Sequence, residues 1–322
     1  RDVGSFLELY YQAVPSHEKL CHTPTKQEFT VSDILGKGER GCVFAAQNRF
    51  DGGNYAVKRL EINIDAQTWA EYAMREVRAL CKLEHPGIVR YYSAWVEQPS
   101  DGTQAAEDEK MLKHIDGWRG RIIRYNSDSG FIYIQMQRCD YSLENWLERN
   151  KDQSSRPLPL MKSWFKQVVS AVQHIHEMNL IHRDLKPANI LFVKDGILKV
   201  CDLGFSAETN EQDIAIDRTC GGSDLYASPE QTGQHNAIDD DNTRPKYNSK
   251  TDVFSLGMIF AEMCVAMADE EHRLAVFKDL RRGRRSSSIK DETVAEFVGK
   301  LTKDKPEDRP TCAEILEDSF FL

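Results

Sequence analysis

His182-Arg183-Asp184-Leu185-Lys186-Pro187-Ala188-Asn189-Ile190 is followed, thirteen residues beyond Asn189, by Asp202-Leu203-Gly204. This short span holds a carboxylate able to accept or orient a proton (Asp184) and a lysine two residues on (Lys186). It also holds an amide and a second carboxylate (Asn189 and Asp202) of the oxygen type that a hard cation prefers. A lone His-Arg-Asp reads equally well as a surface turn, and a lone Asp-Leu-Gly as a type II turn. Four such side chains at these offsets, with strand-like runs at Ile190–Val193 and Ile197–Val200, are improbable by chance.

The upstream half adds independent signals. Gly36-Lys37-Gly38-Glu39-Arg40-Gly41-Cys42-Val43 lies between apolar, β-prone stretches, and alone it is weak, because the same glycine spacing marks dinucleotide folds and ordinary hairpins. In a dinucleotide fold the glycines would open a helix. Here Val43-Phe44-Ala45-Ala46 and Tyr55-Ala56-Val57-Lys58 read as two strands around an Asp51-Gly52-Gly53-Asn54 turn. Glu76, in Met74-Arg75-Glu76-Val77, falls on a helix expected from about Ala66 to Leu83. Lys58 and Glu76 read either as partners or as solvated surface charges.

Taken together, these motifs resemble those of protein kinase domains, and the resemblance covers nearly everything from Phe29 onward. It implies an α+β, bilobal fold with a small β-rich lobe carrying one main helix and a larger, mainly helical lobe. It also implies ATP and Mg2+ as cofactors. The γ-phosphoryl group leaves through a loose transition state, so the protein must mainly orient the attacking hydroxyl and neutralise spread charge. Asp184 would then orient the substrate hydroxyl, and Lys186 would balance charge on the moving phosphate. Asn189 and Asp202 would hold the metal ions. Lys58 would contact the α- and β-phosphates with Glu76 as its partner, and Gly36, Gly38, Gly41, Val43 and Ala56 would line the nucleotide. Met136 would be the gatekeeper, and Gln137-Arg138-Cys139 the hinge whose backbone pairs with adenine. Downstream, Ser228-Pro229-Glu230 stands where kinases carry Ala-Pro-Glu. The family pairs Glu230 with Arg309 and uses Asp252 to brace the catalytic loop.

Composition agrees. The chain has 322 residues, 40% hydrophobic and 29% charged, enough for two lobes with their own cores. No apolar run approaches the roughly 20 residues of a membrane helix, and no signal or basic targeting segment opens the chain. A cytoplasmic domain is expected, within a parent that a likeness to the endoplasmic-reticulum stress kinase would anchor in that organelle's membrane. Eight scattered cysteines without a CxxC pair fit a reducing compartment. The net charge of -9 argues against a broad nucleic-acid-binding face, so this domain is expected to bind no nucleic acid directly. The landmarks divide the chain into an extension (1–28), a small lobe (29–136) with an insertion at about 98–130, and a large lobe (137–322). Trp164, Val168, Ala171, Val172 and Ile175 recur at helical spacing, as a buried large-lobe helix requires.

A narrower likeness rests on Met74-Arg75-Glu76-Val77, the run from Leu83 through Tyr92, Ser93-Ala94-Trp95-Val96-Glu97, the Tyr133–Gln137 strand and Ser228-Pro229-Glu230-Gln231. These are similar to the kinases of the translation initiation factor 2 α subunit, and among them to the endoplasmic-reticulum stress kinase. Glu271-His272-Arg273 through Asp279-Leu280-Arg281 is similar to the short helix with which those kinases dock their substrate. The resemblance implies a serine/threonine kinase that phosphorylates the α subunit and slows protein synthesis under stress, and a homodimer contact through the small lobe. For that contact Glu28 would serve as the acid, while Pro24 stands where its arginine would fall. The Tyr-Tyr-Ser-Ala-Trp string and Asp-Leu-Gly are shared with Wee-like cell-cycle kinases, which lack the arginine found at Arg183. A kinase-fold scaffold without turnover is the third reading, although no catalytic position is altered.

An arginine beside the catalytic aspartate calls for a phosphate in the activation segment, and Thr219 is the expected acceptor. Ser223 reads as structural. The run Lys278-Asp279-Leu280-Arg281-Arg282-Gly283-Arg284-Arg285, entering Ser286-Ser287-Ser288, is either a solvated helix end or a site of binding or phosphorylation.

Overall fold

Alternation along five antiparallel strands organises the first part of the chain. The computed structural model describes residues 28–38, 41–63, 67–97, 129–210, 212–215, 225–232 and 247–321. Strands β1 (Phe29–Gly38), β2 (Gly41–Asn48), β3 (Asn54–Asn63), β4 (Tyr91–Glu97) and β5 (Ser129–Gln137) form one sheet in the order β1-β2-β3-β5-β4. Successive side chains of a strand point to opposite faces, and the register fixes which residues share a face. Val43 pairs with Lys58, Lys58 with Ile134, Ala45 with Ala56 and Ala56 with Met136, so all six lie on one face. The other face carries Ala46, Val57, Phe131 and Tyr133, which are buried with Phe29 and Trp95. Phe29 stacks on Trp95 at 5.6 Å between ring centroids, and Trp95 stacks on Tyr133 at 5.5 Å. The middle of β5 is buried on both faces: Phe131, Ile132, Tyr133, Ile134 and Met136 are all buried, with Gln135 between them half-buried. Gly41 is required by the sheet itself, since a Cβ there would collide with the carbonyl oxygen of Arg59.

Helix α1 (Gln67–Lys82) falls within the span expected for it and buries Met74, Val77 and Leu80. The chain divides into two units, one comprising the described residues up to Cys81 with Arg90–Arg138, the other Lys82–Val89 with Cys139–Leu322. The stretch Lys82–Val89 belongs with the second unit for a hydrogen-bonding reason. Val89 N–H donates to the carbonyl of Val200 at 3.0 Å, Val200 N–H donates to that of Gly87 at 2.8 Å, and Lys199 Nζ donates to the carbonyls of Pro86 and Ile88.

The second unit is built around two helices, α3 (Leu158–Glu177) and α4 (Lys250–Cys264), with the short α2 (Leu143–Arg149) before them. Every residue of α4 from Thr251 to Met263 is buried, the pattern of a helix surrounded by protein. Helices α5 (Glu270–Arg281), α6 (Glu292–Leu301) and α7 (Cys312–Glu317) follow. Phe260 of α4, Phe297 of α6 and Phe320 form one aromatic cluster, with Phe297 and Phe320 stacked at 4.2 Å. Small strands β6 (Tyr141–Ser142), β8 (Ile190–Val193) and β9 (Ile197–Val200) make a three-stranded sheet, and β7 (Leu180–Ile181) pairs with β10 (Ala207–Glu208).

One ion pair locks the far end of this unit. Arg309, with a side chain fully withdrawn from solvent, binds Glu230 bidentately at 2.7 and 2.9 Å. Its remaining N–H groups donate to the carbonyls of Lys303, Lys250 and Asp304, and Thr251 Oγ1 donates to Glu230. Such a pair is costly to break from one side, because the surviving charge is left buried. Arg309→Ala is therefore expected to destabilise the protein by about 3–5 kcal/mol, as read from urea unfolding midpoints. A loss near zero would show that Glu230 is solvated or protonated without its partner.

Candidate active site

The first unit supplies one charge pair. Val57 points into the aromatic face, so its neighbour Lys58 must emerge on the opposite face, where Nζ donates to both carboxylate oxygens of Glu76 on α1 at 2.7 and 2.8 Å. Glu76 is only 1% exposed, which removes the reading of these two as solvated surface charges. Gly36 stands opposite Val43 and Ala56 opposite Met136, while Val43 itself faces Lys58, two positions along β3 from Ala56. Gly38 pairs with Gly41 at the open end of the β1–β2 hairpin. The Gln137 N–H donates to the carbonyl of Arg90 at 2.8 Å.

The second unit gathers the other set. The hairpin β8–β9 places Ile190 opposite Val200, and Cys201 N–H donates to the carbonyl of Asn189 at 3.0 Å. Asn189 and Asp202, thirteen residues apart, are thus held at the same end of one hairpin. Asn189 Nδ2 donates to the Asp184 carbonyl at 2.8 Å and to Asp184 Oδ2 at 3.1 Å, while Lys186 Nζ donates to the same Oδ2 at 2.8 Å. The Asp184 carboxylate is buried and carries its acceptor lone pairs into this cluster. Arg183 and Asp202 both adopt the left-handed backbone region, with φ of 65° and 62°. Non-glycine residues are uncommon there and such outliers concentrate at functional sites. The Arg183 guanidinium turns inward, its Nε donating to the carbonyl of Phe205 at 2.6 Å.

Asp252, wholly buried on α4, underpins the loop. Its Oδ2 accepts the His182 N–H and its Oδ1 the Arg183 N–H, both at 2.8 Å. Two supporting residues were not legible in the sequence. His176, at the end of α3, places Nε2 2.8 Å from Asp252 Oδ2, and Gln231 Nε2 donates to the Arg183 carbonyl at 3.0 Å. His176 lies in no recognisable motif, although its helical phase, in line with Phe165, Val169 and Val172, sets a polar side chain on the buried side of α3; Gln231 ends the Ser228-Pro229-Glu230-Gln231 run, where nothing marks this contact. Burial disfavours a charged His176, but Cys312 and the Asp252 carboxylate more than offset it and lift its pKa to about 10. The Asp252 carboxyl is burdened by burial, yet its bond to His176, the charges of His176 and His182 and the His182 N–H hold it below the usual carboxylate range.

Among the described residues, no group of three or more His, Cys, Asp or Glu side chains could cage a metal alone. Asn189 and Asp202 offer one amide and one carboxylate oxygen, which fits a hard cation that completes its shell with water and phosphate. Burial pushes the Cys139 thiol up to about 11, which disfavours its thiolate. Thr219 and Ser223 lie outside the described residues, as do Glu39, Arg40, residues 1–27 with Pro24, and most of the insertion (98–128). No described helix is long and apolar enough to cross a membrane.

The His176–Asp252 pair sets a pH window. A histidine whose folded pKa is raised stabilises fully below its ordinary value of 6.5 and loses that contribution as pH climbs towards about 10. Asp252, lowered from 3.8, contributes above that value and fails on acidification. The stability gap between wild type and His176→Gln, measured by urea unfolding, is therefore expected to be widest near pH 6 and to narrow steadily by pH 9.5. A gap independent of pH would mean that His176 is neutral in the fold.

Comparison with known proteins accords with this geometry. Residues 29–321 match the family described as "Protein kinase domain". The chain is 34% identical to the interferon-induced, double-stranded RNA-activated protein kinase of Mus musculus over 90% of this chain and 50% of that protein. It is 23% identical to the eukaryotic translation initiation factor 2-alpha kinase pek-1 of Caenorhabditis elegans, over 91% of this chain and 44% of that protein. Against the eIF-2-alpha kinase GCN2 of Arabidopsis thaliana the identity is 28%, over 89% and 24%. The chain thus spans about half the length, or less, of these relatives, and the identities do not single out the endoplasmic-reticulum stress kinase. With this match extending over both units and their site residues, the chain belongs to the protein kinase family.

Proposed function

We propose that this domain transfers the γ-phosphoryl group of ATP to a serine or threonine of the translation initiation factor 2 α subunit. The observation that carries the reading is the buried Asp184 carboxylate, hydrogen-bonded at once to Lys186 and Asn189. In this reading Asp184 orients the acceptor hydroxyl and takes up its proton, and Lys186 balances charge on the group in transit. Lys58, fixed by Glu76, pairs with the α- and β-phosphates. Val43, Ala56 and Met136 present an apolar surface to the adenine ring, and the Gln137–Cys139 backbone reads its edge. Asn189 and Asp202 would hold magnesium, which when bound neutralises phosphate charge.

Substrate choice is inferred from the relatives named as kinases of this factor and from α5. That helix buries Val276, Phe277 and Leu280 but leaves Glu271, Leu274, Ala275 and Lys278 outward, with Leu274 49% exposed. An exposed leucine between charges suits a docked protein surface better than bare solvent. The Wee-like reading would need a tyrosine acceptor, for which Lys186 beside Asp184 is less suited. The likeness to the endoplasmic-reticulum stress kinase, dimerisation through the small lobe, and a membrane-anchored parent belong to this proposal as narrower forms of it.

Incubation of the domain with ATP, magnesium and the α subunit, followed by mass spectrometry, is expected to place phosphate on a serine of the subunit and on Thr219. Asp184→Asn should lower turnover about 10²–10⁴-fold while leaving the melting temperature near that of wild type. Thr219→Ala should lower activity without destabilising the fold. Labelling of tyrosine would favour the Wee-like reading, and no transfer at all would leave a scaffold.

A further inference from the structure

We infer that Ser287 is a phosphorylation site for a basophilic protein kinase, one whose acceptor groove is lined with carboxylates, and that its phosphate weakens protein docking on α5. The second half of this inference rests on the docking role proposed above; the first half does not.

The loop between α5 and α6 is shaped to present one hydroxyl. Gly283, at φ 65°, ends α5: its N–H donates to the carbonyl of Leu280, and the Arg284 N–H donates to that of Asp279. This paired closure stops the helix and turns the chain outward. Of the arginines that follow, Arg282 and Arg284 are exposed without a partner among the described residues, and Arg285 is exposed in a bidentate pair with Glu292. Arg281 instead turns inward, donating to the carbonyl of Leu225 at 2.8 Å.

The three serines then differ sharply. Ser286 is 2% exposed and accepts the Ser288 N–H on its Oγ. Ser288 Oγ is bonded to His272 Nε2 at 2.8 Å. Ser287 is exposed, at the tip of a turn closed by the Ile289 N–H on the Ser286 carbonyl at 3.1 Å. Its hydroxyl is the one offered to solvent, with arginines two, three and five residues before it. Guanidinium groups on the N-terminal side of an acceptor are what carboxylates in a kinase groove recognise by bidentate pairing. The buried and bonded hydroxyls on either side would have to be pulled from their partners first.

A phosphate on Ser287 adds about −1.5 to −2 charges. It competes with Glu292 for Arg285 and strains the adjacent Ser288–His272 bond, which ties the loop to the first turn of α5. That helix carries the exposed Leu274, so its outward face is the element disturbed.

The test uses the Asp184→Asn domain, whose own transfer is strongly reduced, with magnesium-ATP and the catalytic subunit of the cyclic-AMP-dependent protein kinase as the basophilic probe, against a control without the probe. Mass spectrometry is expected to find phosphate in this loop on Ser287 alone. Ser287→Ala should abolish it, Ser286→Ala should not, and Arg284→Ala should slow it on the order of tenfold, all four proteins melting alike. Phosphate on Ser286 or Ser288, labelling that needs prior denaturation, or indifference to Arg284 would overturn the site. With wild-type domain labelled at Ser287, the KM for the intact α subunit should rise on the order of fivefold while that for a short acceptor peptide stays constant. An unchanged KM for the subunit, or an equal rise for both, would overturn the docking half. Failure of the unlabelled domain to phosphorylate the subunit at all would sink the proposed substrate and leave the Ser287 mapping intact.

Discussion

A carboxylate removed entirely from water must be compensated by hydrogen-bond donors and charge, and Asp252 is such a group. Two backbone N–H donors from His182 and Arg183 and the imidazole of His176 supply that compensation. The result is mutual: the carboxylate is stabilised as an anion, and the loop is held in a conformation with Arg183 at positive φ that an unbraced chain would relax. The candidate site residues of the second unit are positioned around this brace. Asp184 follows Arg183 directly, Asn189 reaches back to Asp184, and the β8–β9 hairpin carries Asp202 to the same end. Gln231 secures the loop from another side through the Arg183 carbonyl.

Much of the site could be read from the sequence because its members are local. Asp184, Lys186 and Asn189 span six residues, and the hairpin that returns the chain to Asp202 is announced by two short apolar runs. The strands around Gly52, the span of α1 and the buried stripe of α3 were legible for the same reason, since periodicity is a short-range signal. The partnership of Lys58 with Glu76 could be named but not decided, because burial is a property of the packed sheet. His176 and Asp252 stand 76 residues apart, and nothing in either neighbourhood marks one as the other's counter-charge. Gly41 carried a different lesson. Its glycine character is explained by the Arg59 carbonyl that crosses it, so a nucleotide phosphate is not needed to account for that residue. The likeness to one particular stress kinase was drawn from motifs that several relatives share, and it is in such shared motifs that single sequences discriminate least.

The two buried ionic devices of the second unit differ in kind. Arg309 and Glu230 form a bidentate pair, with three backbone carbonyls absorbing the remaining guanidinium donors. It acts as a fixed rivet between the segment at Ser228-Pro229-Glu230 and the start of α4. The His176–Asp252 pair includes a titratable cation, so the loop that carries Asp184 hangs from an element that alkali can discharge. The His176–Asp252 pair lies directly beneath the loop that carries Asp184.

The alternation of β3 has a further meaning. Val57 and Lys58 are neighbours assigned to opposite faces, one in the aromatic stack, the other with Glu76. A slip of one residue in this strand would drive an ammonium group among Phe29, Trp95 and Tyr133 and expel a valine towards a buried glutamate. Misregistered sheets are therefore rejected twice, once for the lost apolar contact and once for two stranded charges. The lysine that is proposed to greet the nucleotide thus also acts, during folding, as a proofreader of the sheet that carries it.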